Sequence, residues 1–264
     1  MPSEIGSPGV CEGINPGLAG PLIAPHCDAV KWLCTLAALQ LLTARGLEGQ
    51  HAIRWWEAAI AVGAVGTASL FDRGVNEWMQ DHRSSRSNAV ARAFRHGGQP
   101  EVFLTVGGGM IAAGVLTHDA ELRRGGGRVL VSLAVAGLTS LAIKEAFGRE
   151  RPDSTDDPYL FRPFSRNESF PSGHTTMAFA LATSLSEEIS NPWVSAVLYA
   201  GAAGTGWSRM NDRRHWLSDV VGGAAVGMTA AEVIEGRWRI FGLRPPAVLA
   251  GPRGELRLQW NAQF

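Results

Sequence analysis

Apolar residues gather in six segments with no charge inside them: 58–71, 102–117, 129–143, 175–186, 189–208 and 220–231. Their lengths and their Ala, Leu, Val and Met content favour helices over strands. Alternating β-branched runs closed by Asn-Gly turns, the mark of hairpins, are largely absent. The pattern predicts an all-α fold with a six-helix core bundle. A further apolar run, 32–42, follows Lys31 and ends at Thr43-Ala44-Arg45-Gly46. It reads either as an extra amphipathic helix or as an export signal. Its distance from Met1 favours the helix. The chain thus divides into an N-terminal leader or extra helix over 1–50, a helical domain over 51–240 and a C-terminal tail over 241–264. The polar stretch 72–100 reads as a loop with five arginines.

Segment length alone allows a soluble bundle, since a membrane span needs about 20 apolar residues and shorter runs often belong to buried cores. Other features favour a membrane. Trp55 and Trp56 flank one segment, Trp193 and Trp207 bracket another, and Trp238 follows the last, as in an interfacial aromatic belt. Gly223 and Gly227 stand four apart, the spacing that lets helices approach closely in lipid. Arg123, Arg124 and Arg128 in one connection, and Arg237, Arg239 and Arg244 after the last segment, suit a cytoplasmic side. The arginine-bearing loop 72–100 would then face outward, against that tendency. The expectation is a multi-pass membrane protein; a soluble exported bundle is the alternative.

Charge narrows the partners. Lys plus Arg equals Asp plus Glu, 24 each, so the basic surplus of a nucleic-acid binder is missing. Lysine occurs only at Lys31 and Lys144, so the positive charge is nearly all arginine, the side chain that forks onto oxyanions. Mean hydropathy is near zero, low for a polytopic membrane protein and high for a soluble enzyme. Cys11, Cys27 and Cys34 cannot all pair and match no zinc spacing. Asp153, Asp156 and Asp157 lack the spacing of a metal loop, and a solvated loop is the better reading. Nothing in the pattern specifies an oligomeric state.

Three clusters between 144 and 219 carry candidate chemistry. In the first, Lys144 and Arg151 stand seven apart before Pro152; on one helix they would share a face and form an anion site. Pro152 would end that helix. A basic helix end without a ligand is equally common in kind. In the second, Phe170-Pro171-Ser172-Gly173-His174 opens a helix. Ser172 is a candidate N-cap, Gly173 allows close approach to the backbone, and helix N-terminal amides hold phosphate well. His174 at that point could donate a proton. In the third, Arg209 precedes His215 and Asp219. The latter two are four apart, so the carboxylate could fix the imidazole tautomer and leave one ring nitrogen as nucleophile or base. A surface ion pair at a helix start would have the same spacing. Arg149, Arg162, Arg166, Arg213 and Arg214 surround the clusters, either to attract anionic headgroups or as surface charge.

In this order and spacing, Lys-x6-Arg-Pro, Pro-Ser-Gly-His and Ser-Arg-x5-His-x3-Asp resemble the three-part signature of the type 2 phosphatidic acid phosphatase superfamily, with no departure in any part. That superfamily holds membrane lipid phosphatases, soluble bacterial acid phosphatases and vanadium haloperoxidases. The resemblance implies that His215 attacks phosphorus, that Asp219 orients it, and that His174 protonates the leaving oxygen. Lys144, Arg151 and Arg209, with backbone amides near Ser172 and Gly173, would hold the phosphoryl oxygens. It implies no metal and no other cofactor. The implied substrates are lipid phosphates or diphosphates, such as phosphatidic acid or a polyprenyl diphosphate. The implied place is a bacterial inner membrane with the site on the extracytoplasmic side. A soluble periplasmic acid phosphatase, a vanadium-dependent haloperoxidase and a non-catalytic protein with a relic anion site are the competing readings.

Overall fold

The computed structural model describes residues 51–239, 247–251 and 255–259. The expected 32–42 helix or signal, and the rest of 1–50, lie outside these. Eight α-helices occur among the described residues: α1 Trp55–Ser69, α2 Asp72–Asp81, α3 Ser85–Gly97, α4 Pro100–Leu116, α5 Ala120–Phe147, α6 Gly173–Ile189, α7 Pro192–Asn211 and α8 Leu217–Ile234. Six of them fall on the six apolar segments. The other two, α2 and α3, fold the stretch 72–100 that the polar pattern assigns to a loop. Short strands complete the chain. β1 (His51–Ala52) runs parallel to β2 (Trp238–Arg239), and β3 (Ala247–Ala250) pairs antiparallel with β4 (Leu256–Gln259) inside the expected tail.

Local signals explain the helix ends. Asp119 caps α5, its carboxylate accepting from Glu121 N at 2.9 Å and Leu122 N at 3.1 Å. Arg123, Arg124 and Arg128 therefore lie inside α5 rather than in a connection. Asn191 caps α7 in the same way, with Pro192 in its first turn. Gly148, at φ 55°, stops α5 in the left-handed conformation that glycine adopts without penalty. The stop comes four residues before Pro152, so Arg151 lies beyond the helix and does not share a helical face with Lys144.

α6 is the centre of the bundle and packs on α5, α7 and α8. Phe103, Val129, Leu133, Ala136, Phe179 and Ala180 form much of the core around it. Contact between α6 and α8 is close enough to require glycine: a Cβ at Gly227 would lie 2.2 Å from the Thr176 carbonyl oxygen. Outside the core, Trp55 and Trp193 are each 82% exposed, and Leu138, Leu141, Val62 and Val197 also face outward. An apolar exterior this large suits a surface that meets lipid. By length and composition, α5 and α8 can each cross a membrane. The bent pairs α1–α2, at 51°, and α3–α4, at 43°, raise the number to four if each is one span. Six spans of full length are thus not present among the described residues, although six apolar helices are.

Candidate active site

The three clusters come together at one end of the bundle, where α5 finishes and α6 and α8 begin. Lys144 sits in the last turn of α5 with its Cε 3.7 Å from where a Gly173 Cβ would be, so the first turn of α6 lies against the lysine. Its Nζ donates to the Glu168 carbonyl at 2.5 Å. His174 is within electrostatic reach of Arg209, His215, Lys144 and Arg151, which ties all three clusters to one locus. Arg209 reaches it from the last turn of α7, loosely paired with Asp212 at 3.6 Å. Arg151 comes from the loop after α5, 3.4 Å from Glu168. The Nε atoms of Arg151 and Arg209 are buried without a hydrogen-bond partner among the described residues.

His215 precedes α8 instead of lying on it, and it is 5% exposed. Its Nδ1 is 2.8 Å from the Ser169 carbonyl oxygen. A carbonyl only accepts, so Nδ1 carries the proton and the Nε2 lone pair is left available. Asp219 Oδ2 lies 3.6 Å from Nδ1, which is an ion-pair distance and too long for a hydrogen bond. The helical i, i+4 route from Asp219 to the ring is therefore replaced. Asp219, in the first turn of α8, reaches back to the Trp216 N–H at 2.8 Å, and its Oδ2 also accepts from Ser169 Oγ at 2.6 Å. Ser169 thus links the carboxylate to the imidazole, its hydroxyl on one and its carbonyl on the other. Burial pushes the His215 pKa below its usual value; the Asp219 charge opposes this, while Lys144 and Arg209 add to it.

Ser172 is the N-terminal flank of α6 as expected, but it is turned inward and fully buried. Its N–H donates to the Asp219 carbonyl at 2.9 Å and its hydroxyl accepts from Thr175 Oγ1 at 2.8 Å. Its own N–H is thus engaged within the fold. The amides of Gly173 and His174, next in the helix, have no acceptor among the described residues and carry the positive end of the helix dipole.

Sequence reasoning missed three residues behind the site: Ser169, described above, Arg149 and Asp72. Arg149, grouped with the arginines that surround the clusters, is 2% exposed. It donates to Asp219 at 2.5 Å, to Asp72 at 2.7 Å and to the Pro158 carbonyl at 2.6 Å and 2.9 Å. Asp72, at the start of α2, accepts from the Ser218 N–H at 2.8 Å and the Ser218 hydroxyl at 2.6 Å. The other arginines of that group behave as surface charge where they pair: Arg162 with Glu150, Arg213 with Asp156, and Arg214 with Asp153. Asp153 and Asp156 are engaged in these pairs. Arg166 lines a cavity of about 200 Å³ that opens beside Arg151, with Ser154, Asn167 and Glu168.

Residues 125–235 match the PAP2 superfamily, a range that includes all three clusters, and the resemblance read from them is borne out. A lipid A 1-phosphatase of Porphyromonas gingivalis is 42% identical over 118 residues, 42% of this chain and 24% of that protein. A lipid A 1-phosphatase of Rhizobium etli is 34% identical over 107 residues, 39% of this chain and 45% of that protein. The chain therefore spans less than half the length of either relative. The crystal structure of a transmembrane PAP2 type phosphatidylglycerolphosphate phosphatase from Bacillus subtilis shares the fold, with a TM-score of 0.53 and 20% identity, covering 80% of this chain and 94% of that one.

Proposed function

We propose that this chain, a PAP2 superfamily member through residues 125–235, is a membrane phosphatase that hydrolyses lipid phosphates or diphosphates through a phosphohistidine on His215, without a metal. The observation that carries this reading is the state of His215: Nδ1–H held by the Ser169 carbonyl, Asp219 behind it, Nε2 thereby left unprotonated, and Lys144, Arg209 and His174 close enough to interact electrostatically with the ring. The Nε2 lone pair attacks phosphorus as the P–O bond to the lipid breaks. His174 gives the leaving oxygen its proton, and the same residue then takes a proton from the water that attacks the phosphohistidine. Inorganic phosphate leaves and His215 is regenerated. Lys144, Arg151, Arg209 and the Gly173 and His174 amides stabilise the charge that develops on the equatorial oxygens. Such preorganised stabilisation is usually the largest contribution to catalysis.

The relatives named as lipid A phosphatases and the exposed apolar exterior support a lipid substrate. The site then faces the membrane surface, on the extracytoplasmic side of a bacterial inner membrane. The decisive assay is phosphate release in EDTA by detergent-purified protein, wild type against His215→Ala. Phosphatidic acid, a polyprenyl diphosphate and a water-soluble phosphomonoester serve as substrates. Release that persists in EDTA, disappears in the variant and is fastest on a lipid supports the reading. Release that needs an added divalent ion, or survives in His215→Ala, overturns the mechanism. A preference for the soluble ester overturns the lipid assignment.

A further inference from the structure

We infer that Asp72, on a helix outside the matched region 125–235, is a positioning residue for the nucleophile, acting on His215 through Arg149, Ser218 and Asp219. This rests on the phosphohistidine reading above. Asp72 and Asp219 are both fully buried, and Arg149 between them is 2% exposed. A buried carboxylate is tolerated only when paired and hydrogen-bonded, and Asp72 has both: the Arg149 guanidinium at 2.7 Å and two bonds from Ser218. Its position 77 residues before Arg149 in sequence makes it a tether between the α1–α2 bend and the start of α8.

The arrangement has an electrostatic consequence that a plain tether would lack. From the ring outward the groups run His215, Asp219, Arg149, Asp72. Arg149 shares its charge between two carboxylates, which leaves Asp219 more negative toward His215 than it would be as the sole partner of the arginine. Phosphorylation of Nε2 with Nδ1 protonated puts positive charge on the ring, so a more negative Asp219 favours the intermediate. Lys144 and Arg209 act on the ring from the other side, with His174 beside it and Arg151 acting on Lys144 and His174. Arg73, beside Asp72 on α2, pairs outward with Glu77.

Asp72→Asn keeps an acceptor for the Ser218 N–H and removes the charge. The inference predicts a kcat lower by roughly 10- to 100-fold, by analogy with the partners that orient metal-ligating histidines, with KM little changed. It also predicts that the acid limb of the pH–rate profile moves to lower pH, because a less negative surrounding favours the neutral ring. A purely structural role would lower the amount of active protein without moving that limb. Ser218→Ala, which removes the hydroxyl that donates to Asp72 at 2.6 Å and accepts from Arg149 at 2.7 Å but keeps the backbone N–H, should shift the limb the same way by less. It also carries the test if Asp72→Asn does not fold. The inference is overturned if a folded Asp72→Asn, or failing that Ser218→Ala, keeps the wild-type kcat or acid limb. His215→Ala measured alongside separates the two claims: activity surviving there sinks the phosphohistidine reading itself, whereas an inactive His215→Ala with an unmoved limb in the Asp72 and Ser218 variants sinks only this one.

Discussion

Gly227→Ala tests how tightly the packing of α8 on α6 is linked to the site. A Cβ at this position would stand 2.2 Å from Thr176 O, 2.9 Å from Ala180 N and 3.1 Å from Thr176 C, all backbone atoms of α6. No rotamer change relieves a clash with backbone. To restore an ordinary contact of 3.4 Å or more, α8 must back away from α6 by about 1 Å. Overpacking of this kind costs about 1–3 kcal/mol, or a fall in melting temperature of roughly 2–4 °C per kcal/mol for a chain of this size. The same movement reaches the chemistry. The first turn of α8 carries Asp219, whose carbonyl holds the Ser172 N–H at 2.9 Å, and His215 just precedes that turn. A displacement of about 1 Å between the proposed nucleophile and the proposed phosphate site should lower the rate by roughly 100-fold. Gly63→Ala in α1, where nothing lies within 4 Å of the new Cβ, is the control and should stabilise by about 0.5–1 kcal/mol. Thermal melting and kcat are measured for both variants in the same detergent. If Gly227→Ala melts with wild type and keeps its kcat, the close α6–α8 approach does not position the site and the argument fails.

Three other outcomes are expected. Since burial lowers the His215 pKa, the neutral nucleophile persists as pH falls, and the acid limb of the rate profile, after allowance for ionisation of the substrate, should lie below about 6.5, the value of a free histidine. A limb at or above that value would contradict a buried neutral His215. His174→Ala should lose roughly 10²–10⁴-fold in rate on lipid phosphates, whose leaving oxygen needs a proton, and far less on p-nitrophenyl phosphate. Equal losses on both would remove His174 as the proton donor. In membranes washed with alkaline carbonate the chain should stay in the pellet and come out only with detergent; its release by carbonate would favour the soluble alternative.

What was legible in the sequence follows from what short-range pattern can encode. Six helices could be read because each carries an uncharged apolar run long enough to be recognised by itself. α2 and α3 could not. They are polar over most of their surface and bury little beyond Asp72, Met79 and Ala91, so a search for apolar runs passes over them. The end of α5 was misplaced for a related reason. Proline is a conspicuous stop, but the left-handed Gly148 acts first.

The candidate site divides along the same line. Lys144, Arg151, His174, Arg209, His215 and Asp219 each stand in a cluster whose internal spacing is recognisable, and the fold brings the clusters to one locus. Ser169, Arg149 and Asp72 have no such spacing. Their importance arises only when segments far apart in the chain meet: Ser169 with Asp219 at a separation of 50 residues, and Arg149 with Asp219 at 70 and with Asp72 at 77. A carboxylate such as Asp219 must be buried to act strongly on His215, because water would screen it. Once buried it needs compensation that its own helix cannot supply. The sequence motif therefore names the groups proposed to act on phosphate, while the groups that let Asp219 remain charged come from α2 and from the loops after α5.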